Sequence, residues 1–123
     1  MKILVVEDEQ VLAKVFEEKF QKAHYEVKIA ADGQAAIDLA KSFSPDVIVL
    51  DLVLPKKNGF DVLSELKSED ALKIITVVVV SNLGEDEDIK RALSLGAEDY
   101  FVKAQHPINE IVSKVKSVSI KSK

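Results

Sequence analysis

The stretch Ile74-Ile75-Thr76-Val77-Val78-Val79-Val80 is almost unbroken β-branched sequence. Stiff, branched side chains suit a pleated chain better than a helix. The run predicts a central strand over Ile74–Val80. Val47-Ile48-Val49-Leu50 is apolar throughout and predicts a second strand of the same kind. Strands with no polar face belong to parallel sheets whose two sides are covered by helices.

The rest of the chain fits that demand. Ile3–Val6 reads as a buried strand, Val27–Ala30 as an edge strand because it alternates, and Tyr100–Val102 as a fifth strand. Helix-period segments lie between them. The first carries Val11, Leu12, Val15, Phe16 and Phe20, the second Ala35, Ala36, Ile37, Leu39 and Ala40, and the third Val62, Leu63 and Leu66. Ile89, Ala92 and Leu93 mark the fourth, which opens on Glu85-Asp86-Glu87-Asp88, acids suited to the positive end of a helix dipole. Gly96 should end it in a left-handed conformation. Ile108, Ile111, Val112, Val115 and Val118 line the last helix, with Pro107 in its first turn. Asp32-Gly33, Ser44-Pro45-Asp46 and the loop Leu54–Gly59 break the chain. Five β–α units in strict alternation predict a doubly wound parallel α/β sheet with right-handed crossovers.

With 123 residues, the chain fits one domain, 1–123, with no effector domain beside it. It has no cysteine, which excludes disulfides and thiolate metal sites. The first apolar run stops at Glu7, too short for a signal peptide and far below the roughly 20 residues of a membrane span. A cytoplasmic protein without membrane insertion is expected. The net charge of −4 argues against nucleic acid as a direct partner. Lys114, Lys116, Lys121 and Lys123 fit the solvated face of a last helix and its end.

Ligands of open α/β sheets bind beyond the carboxyl ends of the strands. Glu7 and Asp8 follow the first strand, Asp51 the third, Ser81 and Asn82 the fourth, and Lys103 the fifth. Any one of these could be a cap or turn former. Together they place three carboxylates, a hydroxyl and an ammonium at one edge of the sheet. Crowded carboxylates need a cation or a proton. Oxygen ligands favour a hard ion, and Mg²⁺ (or Mn²⁺) would leave positions for phosphate oxygens. Asp51 could then act as a nucleophile and form an aspartyl phosphate. Ser81 and Lys103 would stabilise charge on the transferred group.

The chain resembles the receiver domains of two-component response regulators along essentially its whole length. The resemblance is carried by Val6-Glu7-Asp8-Glu9, by Asp51-Leu52-Val53-Leu54-Pro55 with Asn58-Gly59, by Ser81, and by Gly96-Ala97-Glu98-Asp99-Tyr100 leading to Lys103. It implies a flavodoxin-like sheet of order 2-1-3-4-5 with five helices. Asp51 would be the phosphoacceptor. Asp8, Asp51 and the Val53 backbone carbonyl would bind the metal directly, and Glu7 through water. Ser81 and Lys103 would contact the phosphoryl group, and Tyr100 would turn inward with Ser81 as the switch. The donor would be a phosphohistidine on a sensor histidine kinase or phosphotransfer protein, and the output a changed surface for a downstream protein.

Two departures from the family pattern stand out. Ala104 follows Lys103 where the family usually has proline, so a trans bond and an altered loop are expected. Asn82 replaces a smaller residue. Val53 and Leu83 are apolar at positions that tune phosphate lifetime, which implies slow self-dephosphorylation. A phosphatase of the haloacid dehalogenase type also uses an Asp nucleophile and Mg²⁺. It needs a second acid two residues on, where this chain has Val53. A degenerate receiver acting as a fixed scaffold would not need the intact acidic set. His24 and His106 read as surface and loop residues.

Overall fold

The computed structural model describes residues 1–121, with side chains to Val118. Lys123 and the Lys121 side chain, read above as part of a solvated helix end, lie outside that description. The strands are β1 (Lys2–Val6), β2 (Glu26–Ala30), β3 (Val47–Leu50), β4 (Thr76–Ser81) and β5 (Asp99–Val102). The helices are α1 (Gln10–Lys22), α2 (Gly33–Phe43), α3 (Gly59–Ser68), α4 (Asp86–Ser94) and α5 (Ile108–Lys121). All strands pair in parallel, in the order β2-β1-β3-β4-β5. This is the flavodoxin-like order that the resemblance implied.

The period of two along each strand divides the core into two layers. Leu4, Val6, Ile48, Leu50, Val77 and Val79 face one side, against α2 and α3. Ile3, Val5, Val47, Val49, Val78 and Val80 face the other, against α1 and α5. Every one of these residues is buried, which is why the central strands carry no alternation.

Local chemistry sets the helix starts. The Asp32 carboxylate accepts the Ala35 N–H at 2.8 Å and caps α2. Asn58 caps α3 through the Asp61 N–H at 3.0 Å. Asp86, Glu87 and Asp88 fill the first turn of α4, as expected of that acidic run. Gly96 lies beyond its end at φ 112°, in the left-handed region.

Four sequence expectations shift. Neither Ile74 nor Ile75 is in the strand, which begins at Thr76. The chain between α3 and β4 closes in turns, with Lys73 N–H on the Glu69 carbonyl and Ile75 N–H on that of Leu72. Ile74 is thereby thrown outward and is 81% exposed. Val11 points to solvent from the first turn of α1, whose buried stripe is Ala13, Phe16 and Phe20. Leu93 is likewise exposed, and Ala92 is the buried residue of α4. Pro107 precedes α5, its carbonyl accepting the N–H groups of Glu110 and Ile111.

The Lys103–Ala104 bond is trans, and Lys103–Gln105 form one 3₁₀ turn. His24 is exposed beyond α1, away from the carboxyl edge. His106 packs edge-on against Phe101 and meets Glu110 at 2.9 Å.

Candidate functional site

The parallel ladder delivers its polar residues to one edge. Asp51 N–H bonds the Val6 carbonyl at 3.0 Å, and Glu7 N–H bonds that of Ala30 at 3.0 Å. Both residues thus continue the ladders by one position, and their side chains stand just past the buried strand ends. Glu7 and Asp51 are 4% and 5% exposed, which is rare for carboxylates without a partner. Asp8 is exposed beside them.

Lys103 supplies the partner for both. Its Nζ lies 2.7 Å from Glu7 Oε1 and 2.9 Å from Asp51 Oδ2. The other oxygen of each carboxylate is held by backbone. Glu9 N–H donates to Glu7 Oε2 at 3.1 Å, and Val53 N–H donates to Asp51 Oδ1 at 3.1 Å. One oxygen from each of Glu7, Asp8 and Asp51 falls within 4.8 Å of the others. Three negative charges against one positive leave a surplus of two. Burial pushes Glu7 above its ordinary value, the Lys103 hydrogen bond opposes this, and the Asp51 charge reinforces it. Burial acts to lower Lys103, but its bonds to Asp51 and Glu7 outweigh that and raise it. The ammonium is therefore firmly charged, and the deficit of compensation falls on Glu7.

The donor set fits a hard divalent cation. It consists of oxygens, one carboxylate is open to solvent, and the surplus charge matches the ion. Asp8 and Asp51 would hold it, with Glu7 behind them. Val53 is 55% exposed in the loop after β3, so that segment borders solvent on the same side.

Ser81 is fully buried at the end of β4, and its Oγ accepts the Leu83 N–H at 3.4 Å. Tyr100 packs against the α2–α3 layer, and its hydroxyl donates to the Leu83 carbonyl. Burial, then Asp88 and Asp51, push the phenol upward, while a hydrogen bond with Ser81 acts the other way. Tyr100 and Ser81 therefore meet at one short segment of the β4–α4 loop. Asn82 is exposed at its start.

The sequence reading found every residue of this edge but not their pairing. Glu7 was expected to reach a metal through water; the structure shows it in an ion pair with Lys103. Gly59 was read as a turn residue. A Cβ there would stand 2.4 Å from Leu52 Cα and 2.5 Å from the Asp51 carbonyl oxygen, so the start of α3 is packed directly on the Asp51–Leu52 backbone. Its spacing from Asp51 was the available signal.

The model of the response regulator receiver domain matches residues 3–116. The chain belongs to the response regulator receiver family. It is 37% identical over 117 residues to a protein described as probable transcriptional regulator ycf27 of Porphyridium aerugineum. The match covers 95% of this chain and 47% of that protein, so the receiver spans about half the length of that curated relative. Solved structures agree. The receiver domain of Francisella response regulator 1452 superposes with a TM-score of 0.91 at 28% identity, covering 99% of this chain and 98% of that one. The Mn²⁺-bound form of response regulator Rcp1 gives 0.81 at 29% identity, over 95% and 90% of the two chains. The phosphorylated cyanobacterial phytochrome response regulator RcpA gives 0.81 at 32% identity, over 95% and 89%. The chain thus carries a receiver domain of two-component signalling. Among its described residues no helix is long and apolar enough to cross a membrane.

Proposed function

We propose that this receiver is a phosphorylation-controlled switch with Asp51 as acceptor and Mg²⁺ or Mn²⁺ as cofactor. The observation that carries the reading is the uncompensated acidic cluster around Asp51, with a single lysine bridging two of its carboxylates. In the reaction an Asp51 carboxylate oxygen attacks the phosphorus of a phosphohistidine on a sensor kinase or phosphotransfer protein. The P–O bond forms as the P–N bond breaks, and the leaving imidazole nitrogen keeps the electron pair and takes up a proton. The Val53 N–H and Lys103 orient the carboxylate beforehand. Lys103 then has a phosphoryl oxygen to bind. Ser81, buried on its Leu83 contact, donates to another. A divalent metal held by Asp8, Asp51 and the Val53 carbonyl, with Glu7 through water, would neutralise charge on the phosphoryl oxygens.

The domain catalyses its own phosphorylation and dephosphorylation and turns over no other substrate. Tyr100 is the proposed relay. Its hydroxyl already grips the Leu83 carbonyl next to Ser81. Movement of Ser81 toward a phosphoryl group changes that grip and biases the face built from α4, β5 and α5. The output is a changed surface for a downstream protein target. Net charge of −4 argues against nucleic acid among this domain's own contacts. Val53 and Leu83 offer nothing to orient an attacking water, so phospho-Asp51 hydrolyses slowly. The setting is cytoplasmic, where sensor kinases present their phosphohistidine.

The test is incubation with acetyl phosphate and Mg²⁺ beside Asp51→Asn. Mass spectrometry should show one added phosphoryl group on the wild type and none on the variant. Equal labelling of both, or labelling that ignores Mg²⁺, overturns the assignment.

A further inference from the structure

We infer that the Asp32–Gly33 turn positions the loop after β3, and through it the Val53 carbonyl, so that Gly33 sets the affinity of the site for Mg²⁺. The inference rests on the metal reading given above. Its starting point is a contact far too close for any residue but glycine. A Cβ on Gly33 would stand 1.9 Å from the Lys57 carbonyl oxygen and 2.7 Å from the Lys57 carbonyl carbon. Backbone, not a pliable side chain, occupies that space. The two turns are also bonded. Gly33 N–H donates to the Pro55 carbonyl at 3.3 Å. Lys56 Nζ lies 3.7 Å from the Asp32 carboxylate.

The clasped loop has reason to need support. Lys57 N–H bonds the Pro55 carbonyl at 2.8 Å, closing a three-residue turn around Lys56. Lys56 has φ 67°, and a turn of this kind with positive central φ is the rarer and more strained form. A strained turn persists where its surroundings over-determine it. Three ties do so here: the Gly33 contact, the Lys56–Asp32 pair and the Lys57–Glu65 ion pair to α3. Val53 sits between this turn and Asp51, with its N–H fixed by the Asp51 carboxylate. A displacement of Pro55–Lys57 therefore travels to the Val53 carbonyl. Mg²⁺ demands near-ideal octahedral geometry, so a ligand shifted by an ångström is a weakened ligand.

The Gly33→Ala variant forces the Lys57 carbonyl away. Calorimetric titration with MgCl₂ at constant ionic strength should show affinity reduced about tenfold or more, the usual scale for residues that support metal ligands. Ala36→Gly, which weakens the same helix at another buried position without adding an atom near Lys57, should leave Mg²⁺ affinity at the wild-type value. Equal Mg²⁺ affinity in wild type and Gly33→Ala, or equal losses in Gly33→Ala and Ala36→Gly, overturns the inference. The metal reading is tested separately by Asp8→Asn. Wild type that binds no Mg²⁺, or binding untouched by Asp8→Asn, sinks that reading itself.

A measurement on the wild type covers the case in which Gly33→Ala does not fold. Gly33 opens α2, so its N–H has no partner within the helix and its hydrogen bond is to the Pro55 carbonyl, a bond whose opening its exchange reports. Linkage is reciprocal: if the clasp favours Mg²⁺, Mg²⁺ favours the clasp. Saturating Mg²⁺ should slow exchange of the Gly33 amide severalfold, and an unchanged rate rejects the coupling.

Discussion

At the carboxyl ends of β1 and β3, one lysine faces two buried carboxylates. At the amino end of β4, one lysine faces two backbone carbonyls. Lys103 bridges Glu7 and Asp51, while Lys67 Nζ donates to the carbonyls of Lys73 at 3.1 Å and Ile75 at 2.7 Å. The second end is locally complete. Asp46 takes the Lys2 N–H on its carboxylate at 2.8 Å, and a groove of about 620 Å³ beside Ala40, Pro45 and Leu72 is bridged by a Lys41–Glu69 pair. Size alone would nominate that groove as a ligand site. Its partnering does not, because Lys41 pairs with Glu69 and the Asp46 carboxylate is already bonded by the Lys2 N–H. The carboxyl end balances only when two more positive charges arrive. Half-buried lysines at both ends thus anchor the fold, but one end carries a surplus of negative charge that a cation could cancel.

The largest effect that separates the ends comes from Lys103→Met. It leaves two buried carboxylates facing each other without their cation. Breaking a buried pair in this way costs about 3 kcal/mol or more. Urea unfolding at neutral pH without divalent metal should show that loss. Saturating Mg²⁺ should return most of it, by binding the folded state alone. A loss below about 1 kcal/mol, or one that Mg²⁺ does not repair, breaks the claim that the site is short of positive charge.

This contrast was half legible from the sequence. Parallel strands align their ends, so residues that follow apolar runs must meet at one edge. Glu7, Asp51, Ser81 and Lys103 were found on that logic. The Lys103–Glu7 pair was not, because it depends on how far one side chain reaches across β3 and β4. Ile74 was misplaced for a related reason. β-Branched character says that a residue suits a strand, while the turn at Glu69–Ile75 decides where the strand begins. Asp32-Gly33 read as a mere break in the chain, since nothing local to it announces Lys57 on the other side of the contact.

At the opposite end, Lys67→Met tests the second half of the comparison. It removes a charged donor from two carbonyls, which should cost about 2 kcal/mol. Burial already lowers the pKa of Lys67, and Glu98 pulls it back up. Here Mg²⁺ affinity and phosphorylation of Asp51 should be unchanged, and added Mg²⁺ should not repair the variant beyond the shift it gives wild type. Loss of Mg²⁺ binding in Lys67→Met would show that the two ends are coupled rather than independent.

The smallest effect is a matter of pH. Glu7 is raised above its ordinary 4.5 by burial and by Asp51. A carboxyl that holds its proton more tightly when folded stabilises the fold at low pH. That contribution is complete below about 4.5 and is lost as pH rises through the raised folded value. Metal-free wild type should therefore lose a part of its stability over that window, and Glu7→Gln should not, since glutamine has no proton to release. At neutral pH the variant should match or exceed wild type without Mg²⁺, although it gives up a charged partner of Lys103, because Asp51 still holds the ammonium. The comparison reverses once metal is present, where the negative charge of Glu7 becomes useful behind Asp8 and Asp51. Parallel urea titrations of both proteins, with and without Mg²⁺, read this directly. Superimposable pH profiles would mean that Lys103 alone satisfies Glu7 and that no surplus charge resides there.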